Sequence, residues 1–150
     1  MVYLFDIDGT LTNLEHRLHF IQQENPDWAS FYNAAGEDSP MWDTITIARA
    51  LPYSGQRVIL STGRTESILE MTMKWMHKYR VPVEALYMRK DGDHREDNVV
   101  KSELLDQIIA RNPQDVNTNK IAAVFEDRQQ VVDMYRARGL RVYQVAPGKF

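Results

Sequence analysis

The sequence predicts an α/β fold: a parallel sheet of about five strands, helices on both faces, and a small cap or helical insert after the first strand. Three observations lead there. Five short apolar runs rich in β-branched and aromatic residues recur along the chain, the pattern of strands buried on both faces. Between the later runs, apolar residues repeat at helical spacing. Strand then helix, repeated, builds a parallel sheet with right-handed crossovers, and such sheets bind ligands beyond the carboxyl ends of their strands.

The elements follow in chain order. Val2–Phe5 is the first strand, and it runs directly into Asp6 and Asp8. Residues 13–54 fit the alternation least well: the stretch "NPDWASFYNAAGEDSPMW" reads as short helices covering the site, followed by a helix from about Asp43 to Leu51. Trp28, Phe31 and Trp42 within it suit either the core or a stacking surface for a terminal base. The second strand is Arg57–Leu60. Ile68, Thr72, Trp75 and Tyr79 then mark a helix after Thr65. The third strand is Ala85–Met88, followed by a helix carrying Val100, Leu104 and Ile108. Ile121–Phe125 is the fourth, with a helix carrying Val131, Val132 and Tyr135 that stops at Gly139. Arg141–Val145 is the fifth. With no repeat, low-complexity tract or linker, residues 1–150 read as one domain with a possible insert at 13–54.

Composition narrows the function. With 150 residues, 43% of them hydrophobic and 26% charged, the chain can bury a real core. It has no cysteine, which excludes a disulfide framework, a thiolate nucleophile and thiolate-bound zinc or iron–sulfur. Acids interrupt the amino-terminal apolar run, unlike a signal peptide, and no stretch approaches the ~20 apolar residues of a membrane span. A cytoplasmic protein is expected. A net charge of -3 gives no global pull toward nucleic acid, so any basic footprint must be local.

Chemistry-bearing residues gather at the predicted strand ends. The first strand ends in "DIDGT", the second in "LSTGR" and the fourth in "FEDR", while "DNVVK" opens the helix between the third and fourth. Two acids one residue apart repel and raise one another's pKa, a poor choice for stability alone. Singly, each feature has a plain structural reading. Asp127 with Gln130 suits a capping box, Thr62 with Gly63 a turn, and Lys101 a solvated helix face. Their joint placement at one sheet edge favours a site. A calcium loop is excluded, because "DIDG" puts glycine where a further ligand is needed and "DGDHRED" lacks glycine at its sixth position.

The series Asp6-x-Asp8-Gly9-Thr10, Thr62, Lys101 and Glu126-Asp127 resembles the motif set of the haloacid dehalogenase-like phosphatase superfamily, whose fold is Rossmann-like. Within it, "RKDGDHREDNVVKSELL" and "FEDRQQVVDMYRARGLRVYQVAPGKF" are similar to the 3'-phosphatase domain of phage polynucleotide kinase/phosphatase. The resemblance is strong over the carboxyl-terminal part and at "FDIDGTLT", and weaker from Asn13 to Ser54.

The resemblance implies that Asp6 attacks phosphorus to form an aspartyl-phosphate, with Asp8 as acid and then base. Asp6 must then be ionised while Asp8 is protonated. It implies Mg2+ held by Asp6, the main-chain carbonyl of Asp8, and Asp127, with Glu126 standing where the phage enzymes carry a second Asp. It further implies that Lys101 neutralises Asp6 and the phosphoryl oxygens and that Thr62 receives one of those oxygens, while Asp97, four residues and so one helical turn before Lys101, is placed to hold or orient its surroundings. Arg17, Arg64, Arg89 and Arg128 occupy positions of functional basic residues, and Arg95 lies near a strand end with them. Several phosphate-reading arginines point to a polyanion contacted through its backbone.

The expected function is therefore Mg2+-dependent removal of a 3'-terminal phosphate from DNA or RNA, in the host cytoplasm if phage-encoded. The chain lacks G-x-x-x-x-G-K-[ST], its only Gly-Lys pair being Gly148-Lys149, so no kinase module is expected. Two alternatives stand beside this reading. One is a phosphatase of free nucleotides or other small phosphomonoesters, which needs a closed cap. The other is a non-catalytic module binding nucleic-acid ends, against which the retained Asp6 and Asp8 argue.

Overall fold

The computed structural model describes residues 1–111 and 120–148. Lys149, and with it the Gly148-Lys149 pair, lies outside the described residues. Five parallel strands form the main sheet: β1 (Val2–Phe5), β4 (Arg57–Thr65), β5 (Ala85–Arg89), β6 (Ile121–Glu126) and β7 (Val142–Gln144). A separate antiparallel pair joins β2 (Thr12–Asn13) to β3 (Ser39–Pro40). The main sheet runs β5-β4-β1-β6-β7. The chain thus winds outward on one side of β1 and then returns to the other, leaving a topological switch point between β1 and β6.

Alternation along the strands splits the core between two faces. Leu4, Ile59 and Val124 pack on Val100, Leu104 and Ile108 of α4 (Asp97–Arg111) and on Val131, Val132 and Tyr135 of α5 (Gln129–Ala137). Phe5, Val58, Leu60 and Phe125 turn the other way. They meet Ile45 and Ala48 of α2 (Trp42–Ala50) and Trp75 and Met76 of α3 (Leu69–Lys78). The Phe5 and Phe125 rings stack 4.4 Å apart and 2° from parallel, tying the two central strands just below the site. Among the described residues, no helix is long and apolar enough to cross a membrane.

Three details refine the sequence reading. The insert proper is shorter than 13–54, because α2 packs into the core as the crossover from β1 to β4. Cover is supplied by a 3-10 turn at Glu15–Phe20, α1 (Trp28–Asn33) and another 3-10 turn at Ala34–Glu37. Second, β4 continues past Leu60 to Thr65, and its pairing with β5 shifts register between Thr62 and Thr65. Third, of the three aromatics that suited either core or cover, only Phe31 is core. Trp28 and Trp42 are 50% and 54% exposed.

Candidate active site

The site begins where β1 runs out of partners. The Asp6 N–H donates to the Phe125 carbonyl at 3.0 Å, which holds Asp6 beside the end of β6. Beyond it, the N–H groups of Thr10, Leu11 and Thr12 all donate to the Ile7 carbonyl, closing a tight loop around Gly9. Gly9 has φ +85°, and a Cβ there would lie 2.3 Å from Asp127 Oδ2. Only glycine permits both the turn and the approach of that carboxylate.

Lys101 reaches this point from the first turns of α4, buried to 1% exposure. Its Nζ donates to Asp6 Oδ1 at 2.6 Å and to Glu126 Oε2 at 2.7 Å, and lies 3.6 Å from Asp97 Oδ2 one turn away. Burial opposes its charge, but Asp6 and Glu126 outweigh that and hold its pKa well above the ordinary lysine value. The other oxygen of Glu126 accepts the N–H groups of Asp127 and Arg128, each at 3.1 Å. Both Glu126 oxygens are therefore engaged. Asp127 does not cap α5, whose N-cap is Arg128 without a side-chain hydrogen bond. Its Oδ1 is buried with no hydrogen-bond partner.

Asp6, Glu126 and Asp127 each place an oxygen within 4.8 Å of the others. One ammonium faces three carboxylates, and burial with the field of Glu126 pushes Asp127 up to about 8. Burial, and then Glu126, likewise raise Asp6 well above the usual carboxylate range. A buried cluster of hard oxygen donors with one orphaned oxygen and surplus negative charge fits a divalent cation such as Mg2+. Asp6 and Asp127 have oxygens to give it, whereas Glu126 is committed to Lys101 and the main chain.

Asp8 faces the other way. Its carboxylate accepts from Arg17 Nη2 at 2.5 Å and from Arg64 Nη2 at 2.7 Å. The same two guanidiniums bond Asp38, at 2.7 Å from Arg17 Nη2 and 3.0 Å from Arg64 Nη2. Burial alone raises the Asp8 pKa, but Arg64 and Arg17 reverse this and hold it well below the ordinary value. The two carboxyls of the doublet thus sit in opposite fields, Asp8 between two guanidiniums and Asp6 beside one ammonium and two further acids. The expectation that Arg17 and Arg64 read a polymer is corrected. Both side chains are fully buried and directed at acids of the protein.

The remaining residues divide. Arg89 donates to the carbonyls of Gly63, Asp93 and Arg95 and to Asp97 Oδ1 at 3.1 Å, so it braces the 93–97 loop instead of presenting a free fork. Gly63 is required here, because a Cβ would sit 2.4 Å from Asp97 Oδ1. Arg95 forks onto Asp93 and Glu103 at the surface, the plain ion-pair reading. Arg128 lies 3.4 Å from Asp97 Oδ2 and lines the cavity over Asp6. Thr62 is fully buried, and its hydroxyl accepts the Arg64 N–H at 3.1 Å within β4, where the pairing with β5 shifts register. That cavity, ≈ 330 Å³, has Asp6, Asp8 and Lys101 at its base and Trp28 and Tyr32 on its wall.

Sequence reasoning missed Asp38 and Tyr32. Asp38 is the buried hub that Arg17, Arg64 and His16 share, and Tyr32 donates to the Gly63 carbonyl at 3.4 Å. Both lie in the segment where motif resemblance is weak, and no spacing marks them.

With this geometry in place, comparison with known proteins is informative. Residues 1–150 match the model of the polynucleotide kinase PNKP phosphatase domain. The chain is 30% identical to a chain of the Pnkp1/Rnl/Hen1 complex, covering 99% of itself and 47% of that chain at TM-score 0.76. A second structure, of the Pnkp1/Rnl/Hen1 RNA repair complex, gives 29% identity and TM-score 0.77 over 99% of this chain and 43% of that one. The chain thus spans somewhat under half the length of these relatives. Class C acid phosphatase from Bacillus anthracis shares the fold at 14% identity and TM-score 0.69, over 99% of this chain and 67% of that one.

Proposed function

The chain belongs to the family of the polynucleotide kinase PNKP phosphatase domain, among the haloacid dehalogenase-like phosphatases, and on that premise we propose that it is a Mg2+-dependent polynucleotide 3'-phosphatase. The observation that carries the reading is the buried Asp6–Lys101 pair lining an open cavity, with Glu126 and the unpaired Asp127 Oδ1 grouped around Asp6 behind it. A phosphate needs a nucleophile, compensating cations and room, and all three meet there. One of the two similar structures is of an RNA repair complex, which supports nucleic-acid ends as the substrate class.

In this reading Asp6 attacks phosphorus, the bond to the 3'-oxygen breaks, and the electron pair leaves on that oxygen with a proton from Asp8. Water then attacks the aspartyl-phosphate, giving its proton to Asp8 and releasing phosphate and the Asp6 carboxylate. Mg2+ held by Asp6, the Asp8 carbonyl and Asp127 supplies charge neutralisation of the phosphoryl oxygens when bound. Lys101 keeps Asp6 ionised once the surplus negative charge is neutralised, and its charge offsets that of the phosphoryl group bound beside Asp6. Thr62 and neighbouring N–H groups hold a second phosphoryl oxygen. Asp8 is held between two arginines, so to act as acid in the first step and base in the second its carboxyl must turn from them toward the reacting oxygens. Residues 1–150 act as one domain, with the segment before α2 covering the site, and no phosphate-cradling kinase loop lies among them.

Acid quenching of the protein during turnover of a 3'-[32P]phosphorylated oligonucleotide tests this. Label retained on wild type and absent from Asp6→Asn supports the covalent route. Turnover by folded Asp6→Asn at the wild-type rate refutes it.

A further inference from the structure

We propose that Trp28, backed by Tyr32, is a seat for the nucleobase of the terminal nucleotide, so that the enzyme reads the presence of a base but not its identity. This deepens the proposed function and rests on it.

The exposed indole is the first observation. Trp28 is half exposed and lines the same cavity as Asp6 and Lys101. A structural aromatic ordinarily hides both faces. Trp28 packs edge-on to Phe31 at 5.7 Å and tilted against Tyr32 at 6.2 Å, which leaves its remaining surface toward the cavity. Trp42 provides the contrast. It is as exposed, but its ring packs against Arg49 and Tyr79, and it does not line the cavity.

Rigidity is the second. Asp27 caps α1 by accepting the Ser30 N–H at 3.0 Å and its hydroxyl at 2.7 Å, which fixes where the helix starts and so where Trp28 stands. Phe31 lies under the Arg17 guanidinium, 4.2 Å from its ring centre, and Arg17 also holds Asp8. Tyr32 ties the same helix to the Gly63 carbonyl at the end of β4. The aromatic wall is therefore fixed relative to the catalytic doublet, and little ordering cost attends binding.

Size and chemistry make the third. A cavity of ≈ 330 Å³ holds about one nucleotide, and its lining combines Asp6 and Lys101 with the aromatic side chains of Trp28, Phe31 and Tyr32. Every base has a π-face, so stacking is tolerant of sequence. No hydrogen-bonding edge reader is needed.

The test compares a 3'-phosphorylated oligonucleotide with the same strand ending in an abasic 3'-phosphate. Wild type is expected to favour the base-bearing strand about tenfold or more in kcat/KM, mainly through KM. In Trp28→Ala that ratio collapses toward one, and Trp28→Phe keeps most of it. In the Asp6→Asn background, the base-bearing strand quenches tryptophan fluorescence and the abasic strand does not; Trp28→Phe removes the quench although Trp42 and Trp75 remain. This second readout stands even if Trp28→Ala folds poorly. Equal use of both strands by wild type, or an unchanged ratio in Trp28→Ala, overturns the base seat and leaves the 3'-phosphatase standing. If wild type hydrolyses neither strand, the proposed function and the base seat fall together.

Discussion

Asp8 and Asp38 share the same two guanidiniums: Arg17 Nη2 and Arg64 Nη2 each bond both carboxylates. All four groups are buried or nearly so, and the pairing joins the catalytic doublet to the covering segment through charge.

Arg17→Ala or Arg64→Ala leaves Asp38 short of a partner inside the protein. A loss of about 3–5 kcal/mol of stability is expected in denaturant titrations, since breaking a buried pair strands a charge. Turnover falls equally for an oligonucleotide and for p-nitrophenyl phosphate, because these arginines act through Asp8. A selective loss on the oligonucleotide would restore the polymer-reading role. The acid limb moves too. Asp8 is held below its ordinary pKa, so its stabilising contribution is present above about pH 4 and is lost as pH falls further. Removing Arg64 lets the Asp8 pKa rise toward its ordinary value, so less acid-sensitive stabilisation remains to be lost below about pH 4.

Lys101→Ala removes the one ammonium that, among the described residues, sits between Asp6, Asp97 and Glu126. A drop of about 10²–10³ in kcat is expected from lost charge stabilisation. Lys101→Arg does not rescue it, because a planar fork does not fit a point-charge site of this size. Steady-state kinetics at saturating Mg2+ checks both variants.

The sheet and the main acid–lysine cluster were legible in the sequence because strand periodicity and motif spacing are local signals. Asp6, Lys101 and Asp127 converge for a topological reason: parallel winding brings strand ends together at the switch point. Asp38 was not legible, since its partners are distant in sequence and its neighbourhood, "GEDSP", looks like a turn. The hydrogen-bond partners of Arg17, Arg64 and Arg89 were not legible for the same reason. A sequence shows that an arginine is present, but not that buried acids and carbonyls already occupy its donors.

Metal binding ranks the two acids after β6. Asp127→Asn should weaken Mg2+ binding, measured by calorimetry, more than Glu126→Gln does, because only Asp127 has an uncommitted buried oxygen. Equal losses reverse that ranking. A pH effect accompanies it. With its pKa raised to about 8, Asp127 keeps a proton that the unfolded chain has released, so metal-free stability falls as pH rises from about 4 to 8. Mg2+ offsets the charge that appears there. The Mg2+-dependent rise in Tm should therefore be larger at pH 9 than at pH 6, and an equal rise at both would contradict the assignment.

The most direct measurement of the central claim compares initial rates, with Mg2+ and at matched concentration, on three substrates: a 3'-phosphorylated oligonucleotide, its 5'-phosphorylated isomer and a free 3'-mononucleotide. Asp6→Asn serves as the blank. A polynucleotide 3'-phosphatase built as described releases phosphate fastest from the 3'-phosphorylated strand and at least about tenfold more slowly from the 5' isomer, a difference of 1.4 kcal/mol in transition-state binding. The mononucleotide falls between them. Equal rates on the two strands, or a mononucleotide preferred over both, would contradict the account and make the protein a phosphatase of small phosphomonoesters.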